Sequence, residues 1–180
     1  GCELTVYDIS SPINPTFVTS IDHDGSLLGS ADSIYFNTLA IKGNYLYAGK
    51  YAAAGACSSV AGSAGPCELM VFDISNPDTL TFVAGRDADG SGTGITQSLI
   101  FSIIIKDSYI YVSMSADGSA CGQTAGTASG CELQVYDVSS STNPVYVAGR
   151  DADGSTGGST VNTFYDLTIS SNYLYVTSGG

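Results

Sequence analysis

One nine-residue segment occurs three times in the chain and limits its fold more than any other feature. The segment CELTVYDIS (residues 2–10) returns as CELMVFDIS (67–75) and as CELQVYDVS (131–139), at spacings of 65 and 64 residues. A self-similar period of this length is typical of repeat architectures, in which neighbouring units share a continuous core. We therefore divide the sequence into units 1–66, 67–130 and 131–180, and we expect the third unit to be C-terminally incomplete.

Each unit contains four short segments rich in β-branched and aromatic residues, separated by Pro, Asn, Asp and Gly. The segments are residues 4–9, 16–21, 36–42 and 45–48, then 69–74, 80–84, 99–105 and 109–112, then 133–138, 145–148, 164–169 and 173–176. The last two segments of each unit are joined by two residues that favour a hairpin with positive φ, namely Gly43-Asn44, Asp107-Ser108 and Ser171-Asn172. No segment has a sustained helical period. The sequence thus predicts an all-β fold with four strands per unit, the number that a propeller blade requires.

Three runs of the first unit carry a family resemblance. LTVYDISSP (4–12), NPTFV (14–18) and LAIKGNYLY (39–47) resemble the LVIVD repeat of bacterial and archaeal surface proteins. The resemblance implies a β-propeller-like array of three four-stranded blades, one per unit, and it brings no catalytic residues. A closed propeller typically needs four to eight blades. We therefore expect a part of a larger or oligomeric assembly, with self-association through further repeats or copies of the same chain.

The cysteines follow the repeat. Cys57 and Cys67 are ten residues apart, as are Cys121 and Cys131, and each pair encloses a loop rich in Gly, Ala, Ser and Thr. We predict the disulfides Cys57–Cys67 and Cys121–Cys131, with Cys2 unpaired within the chain because its equivalent partner would precede residue 1. The alternative is five reduced thiols in a cytosolic protein. Disulfides and the scarcity of lysine favour an extracellular or cell-surface location.

Charge excludes two classes of partner. Seventeen acidic residues against five basic ones give a net charge of −12, which repels nucleic acid phosphates and anionic membrane surfaces. The longest apolar stretch, residues 99–105, is much shorter than the roughly 18 residues that a membrane helix needs. We expect neither nucleic acid binding nor membrane insertion.

An Asp-x-Asp-Gly motif begins twenty residues after the nonamer cysteine of each unit. Its carboxylates are Asp22 and Asp24, Asp87 and Asp89, and Asp151 and Asp153. Closely spaced carboxylates followed by a glycine suit calcium. Asp and Gly suit an ordinary turn equally well. Calcium is the one cofactor that the sequence indicates, and both interpretations stay open.

Two further sets of residues recur in every unit. Asp8, Asp73 and Asp137 end the nonamer strand, and we interpret them as Asx-turn residues; the alternative is a row of carboxylates lining a channel. A Tyr-x-Tyr stripe follows each hairpin turn, with both rings on one face of the strand, at Tyr45 and Tyr47, Tyr109 and Tyr111, and Tyr173 and Tyr175. Packing between sheets is the favoured role of these rings, and stacking on glycans is the alternative.

Catalysis has little support in the sequence. His23 is the only histidine, and it occupies a position that is alanine in the other units, which indicates a solvated loop position. We predict a non-enzymatic extracellular structural protein, an LVIVD-like repeat array serving as a surface or filament building block or adhesion scaffold. The alternative is a calcium- or glycan-binding β-propeller module. A third hypothesis is a fragment of an enzyme whose site lies in other blades.

Overall fold

The computed structural model describes residues 3–25, 34–52, 55–94, 98–158 and 162–179. These residues form twelve β-strands and no helix. The strands are β1 (Leu4–Asp8), β2 (Thr16–Ile21), β3 (Phe36–Lys42), β4 (Tyr45–Lys50), β5 (Leu69–Asp73), β6 (Thr81–Arg86), β7 (Ile100–Lys106), β8 (Tyr109–Met114), β9 (Leu133–Asp137), β10 (Val145–Arg150), β11 (Thr163–Ser170) and β12 (Tyr173–Gly179). The all-β prediction is confirmed, and each predicted segment is a strand whose ends differ from the prediction by at most three residues.

The strands are grouped into four antiparallel sheets. The first half-sheet is β1–β2, the first full sheet is β3–β4–β5–β6, the second full sheet is β7–β8–β9–β10, and the last half-sheet is β11–β12. Within each sheet, strands that are consecutive in the chain are neighbours.

The sheets do not coincide with the sequence units. We expected three four-stranded blades, one in each of the units 1–66, 67–130 and 131–180, whereas the described residues form two four-stranded and two two-stranded sheets. Each full sheet combines the last two strands of one unit with the first two strands of the next, because β4 pairs with β5 and β8 pairs with β9. The unit boundaries at 66/67 and 130/131 therefore fall inside the full sheets.

The predicted hairpin turns are present. Gly43, Asp107 and Ser171 have φ of 59°, 57° and 55° at the tips of the β3–β4, β7–β8 and β11–β12 hairpins. Positive φ at the first turn residue matches the right-handed twist of the flanking strands. The two-residue turns thereby set the register of these hairpins.

The first full sheet packs against a neighbouring sheet on each face, and β5 is buried on both sides. Leu69 and Val71 project into a core shared with the second full sheet, while Met70 and Phe72 project into a core shared with the first half-sheet. Side chains alternate between the two faces of a strand. A strand buried on both faces has to be apolar at every position, and each fully buried side chain of this size contributes about 1.5–3 kcal/mol. The sheets are therefore stacked face to face.

The first strands of successive sheets lie side by side. Thr38 of β3 accepts a hydrogen bond from the Ile103 N–H of β7 at 3.1 Å, and Ser102 of β7 donates to Asp166 of β11 at 3.1 Å. These bonds join the full sheets and the last half-sheet along one edge of the stack.

Both predicted disulfides are present. Cys57 is bonded to Cys67 and Cys121 to Cys131. Each bridge packs against a glycine, Gly85 of β6 or Gly149 of β10: a Cβ added to Gly85 would overlap Cys67 Sγ, and one added to Gly149 would overlap Cys131 Sγ. Cys2 lies outside the described residues. The described part of the chain has no helix long and apolar enough to cross a membrane.

We expect loss of one bridge to destabilise the fold without changing it. The Cys57→Ser/Cys67→Ser variant should lose on the order of 2–4 kcal/mol of unfolding free energy, because the closed loop no longer restricts the unfolded chain. Cys121→Ser/Cys131→Ser is the matched variant and should lose a similar amount. Denaturant unfolding followed by circular dichroism measures both, and unchanged midpoints would contradict a stabilising role.

Candidate functional site

The glutamate that follows each nonamer cysteine holds two distant backbone segments. Glu68 is buried, and its two carboxylate oxygens accept hydrogen bonds from the N–H groups of Ala88 at 2.8 Å and Ser98 at 3.1 Å. Ala88 lies in the Asp-x-Asp-Gly loop, and Ser98 lies just before β7. One side chain thus fixes both ends of the loop that links the two full sheets.

The same arrangement recurs in the other units. Glu132 accepts hydrogen bonds from Ala152 N–H at 2.8 Å and Asn162 N–H at 3.2 Å. Glu3 accepts one from His23 N–H at 3.0 Å. These glutamates were not predicted as site residues, although their recurrence in a chain with few charged residues marks them in the sequence.

Glu68 lies in an unusually charged part of the interior. Burial, with the charge of Asp87 as a second cause, raises the pKa of Glu68 to about 8. Lys50 is buried nearby, and burial lowers the pKa of its ammonium group to about 8. Lys50 Nζ donates a hydrogen bond to the carbonyl of Gly65 in the first disulfide loop. These groups connect β4 and β5 to the polar loops around them.

The Asp-x-Asp-Gly loops have turn geometry. Asp87 Oδ1 accepts a hydrogen bond from Asp89 N–H at 3.1 Å, and Asp89 Oδ1 accepts one from Ser91 N–H at 2.7 Å. Asp151 and Asp153 make the equivalent bonds at 3.2 and 2.7 Å. These contacts agree with the turn interpretation, and calcium binding stays a prediction.

The backbone carbonyls of these loops hold the disulfide loops. The carbonyl of Asp89 accepts hydrogen bonds from Gly126 at 2.9 Å and Ala128 at 3.1 Å, and the carbonyl of Asp24 accepts equivalent bonds from Gly62 and Ala64. Each Cys-bearing loop is therefore docked on an Asp-x-Asp-Gly turn.

One group of described residues is arranged closely enough to share a metal ion. The ligand atoms of Glu3, Asp22 and His23 lie within 4.8 Å of one another. His23 Nδ1 is 2.7 Å from Asp22 Oδ1 and 3.5 Å from Glu3 Oε2. Among the residues that the structure describes, the pairs Asp87/Asp89 and Asp151/Asp153 do not form such a group.

The prediction that His23 is solvated is wrong. Its side chain is buried beside Asp22, because the Glu3 hydrogen bond holds this loop against the start of β1. The alanine found at this position in the other units had indicated only that a histidine is not required there.

The carboxylates that end the nonamer strands are turn residues, as interpreted from the sequence. Asp8, Asp73 and Asp137 accept hydrogen bonds from the N–H groups of Ser10, Ser75 and Ser139 at 2.7–2.8 Å. These backbone hydrogen bonds lower the pKa of all three exposed carboxyl groups. Each carboxylate therefore stabilises the turn that directly follows its own strand.

The tyrosine stripe differs in burial from one sheet to the next. Tyr47 of β4 is 0% exposed because it is covered by the second full sheet, whereas the equivalent Tyr175 of β12 is 55% exposed. Packing between sheets accounts for Tyr47. Glycan stacking on the exposed rings stays a prediction.

The outer face of the first half-sheet shows the same contrast. Tyr7 and Phe17 form an edge-to-face pair and are 54% and 62% exposed. The equivalent pair Tyr136 and Tyr146, in the second full sheet, is only 2% and 6% exposed because it packs against the first full sheet. The two half-sheets thus present apolar faces that the full sheets bury, and these faces are the candidate interaction surfaces.

Comparison with known families gives one match. The sequence model of the LVIVD repeat matches residues 1–23 and 64–85. Both matched segments contain the nonamer, and they extend into the strand that follows it, to the end of β2 in the first segment and to Gly85 of β6 in the second. No curated protein matches the chain.

We expect Glu68→Ala to lower the unfolding free energy by about 2–5 kcal/mol, because two buried backbone N–H groups lose their acceptor. Glu132→Ala removes the equivalent pair of bonds and should be destabilising in the same way. Asp78→Ala, which removes an exposed carboxylate, is the control and should change stability by less than about 0.5 kcal/mol. Denaturant unfolding measures all three, and a Glu68→Ala midpoint like that of the control would refute this role.

Proposed function

We propose that the chain is a non-enzymatic extracellular structural protein, a propeller-like repeat array that serves as a surface or filament building block or adhesion scaffold. The match of residues 1–23 and 64–85 to the LVIVD repeat supports the array. The observation that carries the proposal is the pair of apolar half-sheet faces. The same sequence positions are buried between sheets in the interior of the array. Faces of this kind on a soluble domain mark interaction surfaces.

The use of the recurrent polar residues supports a structural role. The nonamer glutamates and aspartates of all three units accept backbone hydrogen bonds, and the disulfides hold the polar loops. A catalytic device would be expected in a single unit, because neighbouring repeats gain nothing from a copied reaction centre. The recurrent residues are instead those that a repeat needs in order to fold.

The arrangement of the sheets supports the propeller-like array. Sheets are stacked face to face with β3, β7 and β11 side by side, and successive blades of a propeller pack in this way. The disulfides are compatible with secretion, because such bonds persist in oxidising compartments.

Self-association is the direct test. We expect sedimentation velocity of the 180-residue chain to show larger species as concentration rises from micromolar to millimolar. The net charge of −12 opposes contact between copies, so the larger species should increase with salt between about 10 and 150 mM, as screening shortens the range of repulsion. A single monomeric boundary at every concentration and salt would contradict the proposal.

Metal binding is a second candidate function, and the Glu3–Asp22–His23 cluster favours it. Imidazole and carboxylate ligands at this spacing suit zinc better than calcium, which takes oxygen ligands. The repeat supplies a matched variant, because His23→Ala installs the residue that the other units carry at this position.

We expect Zn²⁺ to raise the melting temperature of the wild-type chain, a chelator to reverse the rise, and His23→Ala to abolish it. Differential scanning calorimetry with Zn²⁺ and, in parallel, with Ca²⁺ measures this. If Zn²⁺ raised the melting temperature of His23→Ala as much as that of wild type, the cluster would be excluded as the zinc site. A Ca²⁺ shift that persists in His23→Ala would instead favour the Asp-x-Asp-Gly loops.

A further inference from the structure

In the described part of the chain, each half-sheet has a strand with one unpaired edge, whereas the equivalent strands of the full sheets are paired on both edges. Among the described residues, β12 pairs only with β11 and β1 only with β2, whereas β4 pairs with β5 and β8 with β9. We propose that β12 of one chain pairs with β1 of a second copy, so that β11, β12 and the partner's two strands form one four-stranded sheet. This inference rests on the self-association proposed above and specifies its geometry.

The register follows from the two pairings already present. Tyr45 lies opposite Asp73 and Tyr47 opposite Val71 in the first full sheet. Tyr109 lies opposite Asp137 and Tyr111 opposite Val135 in the second. The repeat spacing places Tyr173 opposite the partner's Asp8 and Tyr175 opposite the partner's Val6.

Backbone hydrogen bonds at both ends of these pairings also recur. Ile74 N–H donates to Asn44 O at 2.8 Å, and Val138 N–H donates to Ser108 O at 2.8 Å. Lys50 N–H donates to Glu68 O, and Met114 N–H donates to Glu132 O, both at 2.9 Å. The equivalent groups in the proposed sheet are the partner's Ile9 N–H on Asn172 O, and Ser178 N–H on the partner's Glu3 O.

The completed sheet would cover the exposed aromatic pair of the first half-sheet. Tyr136 and Tyr146 pack against a face of the first full sheet that includes Leu69 and Val71. The equivalent positions in the second full sheet are Leu133 and Val135, which are only partly buried. The partner's Tyr7 and Phe17 therefore meet this face.

The other face of the completed sheet would cover β3 and β4 of the partner's first full sheet. Leu39 of β3 is 50% exposed, while the equivalent Ile103 of β7 is 6% exposed because β3 and β4 cover it. Leu39, Ile41 and Leu46 line a groove of about 300 Å³ beside β1. Tyr173 and Tyr175 enter the partner's groove, as Tyr45 and Tyr47 pack towards β7.

An arginine and its matching acceptor support a second copy as the occupant. Arg86, at the end of the first full sheet, donates to Pro144 O at 2.7 Å and to Asn143 Oδ1 at 2.6 Å in the next sheet. Arg150 is the equivalent residue of the second full sheet and is exposed; its guanidinium donates hydrogen bonds to Gly149 O and Gln123 Oε1.

The Asn-Pro acceptor that Arg150 requires is present at the start of the chain. Asn14 and Pro15 occupy the positions of Asn143 and Pro144. Neither side of this contact is present between the first half-sheet and the first full sheet. Ile21 stands in place of the arginine, and Thr79-Leu80 stands in place of Asn-Pro. An arginine is therefore found where the next unit offers Asn-Pro, and Arg150 matches the partner's Asn14 and Pro15.

Such an interface is head-to-tail. Each chain would offer β12 at one end and β1 at the other, so that association either closes into a ring or continues as a filament. The contact uses the backbone hydrogen bonds of an open sheet edge together with apolar faces on both sides.

Disulfide trapping tests the register. In chains carrying Cys2→Ser, we expect an equimolar mixture of Val6→Cys and Tyr175→Cys chains to form a covalent dimer under mild oxidation, because this pair occupies a non-hydrogen-bonded site of the ladder. The matched control replaces Tyr175→Cys by Val176→Cys, whose side chain points to the opposite face. Dimer should be at least about tenfold less abundant in the control mixture, and neither single variant should cross-link alone.

The outcomes separate this inference from the proposed function. Association without the Val6–Tyr175 cross-link, or with equal cross-linking in the control, would overturn the strand pairing and leave self-association standing. Absence of association would overturn both. A fast-migrating monomer from the doubly substituted chain, without dimer from the mixture, would show closure within one chain and would also overturn the inference.

Arg150→Gln gives an independent measurement. Loss of the charged hydrogen bonds should raise the concentration at half-assembly about tenfold. Arg86→Gln, which breaks the equivalent contact inside the chain, should lower the melting temperature instead. An Arg150→Gln chain that assembles like wild type would overturn the contact with the partner's Asn14 and Pro15.

Discussion

Burial of apolar sheet faces against neighbouring sheets is the constraint on which this structure depends. Strand β5 shows it most clearly, since its consecutive side chains enter two different cores. A sheet of this composition needs a neighbouring sheet on each face, so one repeat unit cannot bury all of its own apolar surface. The disulfide loops, the Asp-x-Asp-Gly turns and the nonamer glutamates hold the links between sheets, and the half-sheets carry the surface that is still uncovered.

The strands and the disulfides were predictable because their signals are local. Short runs of β-branched and aromatic residues, two-residue turns and cysteines ten residues apart each depend on a short segment, and the structure has all of them. The grouping of the strands was not predictable in this way. The pairing of β4 with β5 joins strands separated by residues 51–68, and no local signal states which hairpins combine into one sheet. The period of the sequence predicted the length of the repeat. The positions at which one sheet ends and the next begins depended on this long-range pairing.

The candidate site residues also differ in whether their contacts are local or distant in the sequence. The turn roles of Asp8, Asp73 and Asp137 were predictable because each side chain bonds to a backbone two residues away. The role of Glu68 was not, because its partners lie 20 and 30 residues further along the chain. His23 was misjudged for a related reason, since its burial follows from contact with Glu3 rather than from its immediate neighbours. The exposure of Tyr7, Phe17 and Tyr175 became meaningful only by comparison with equivalent positions in the full sheets.

Residue-resolved hydrogen exchange of β12 tests the central claim most directly. In β4 and β8 alternate N–H groups point to the following strand, and the equivalent groups in β12 are those of Leu174 and Val176. If a second copy completes the sheet, these two amides should exchange as slowly as those of Ile110 and Val112 at high protein concentration. Their exchange should accelerate on dilution, while that of the Tyr175 N–H, which faces β11, should change less. Fast exchange of Leu174 and Val176 at every concentration would contradict the account.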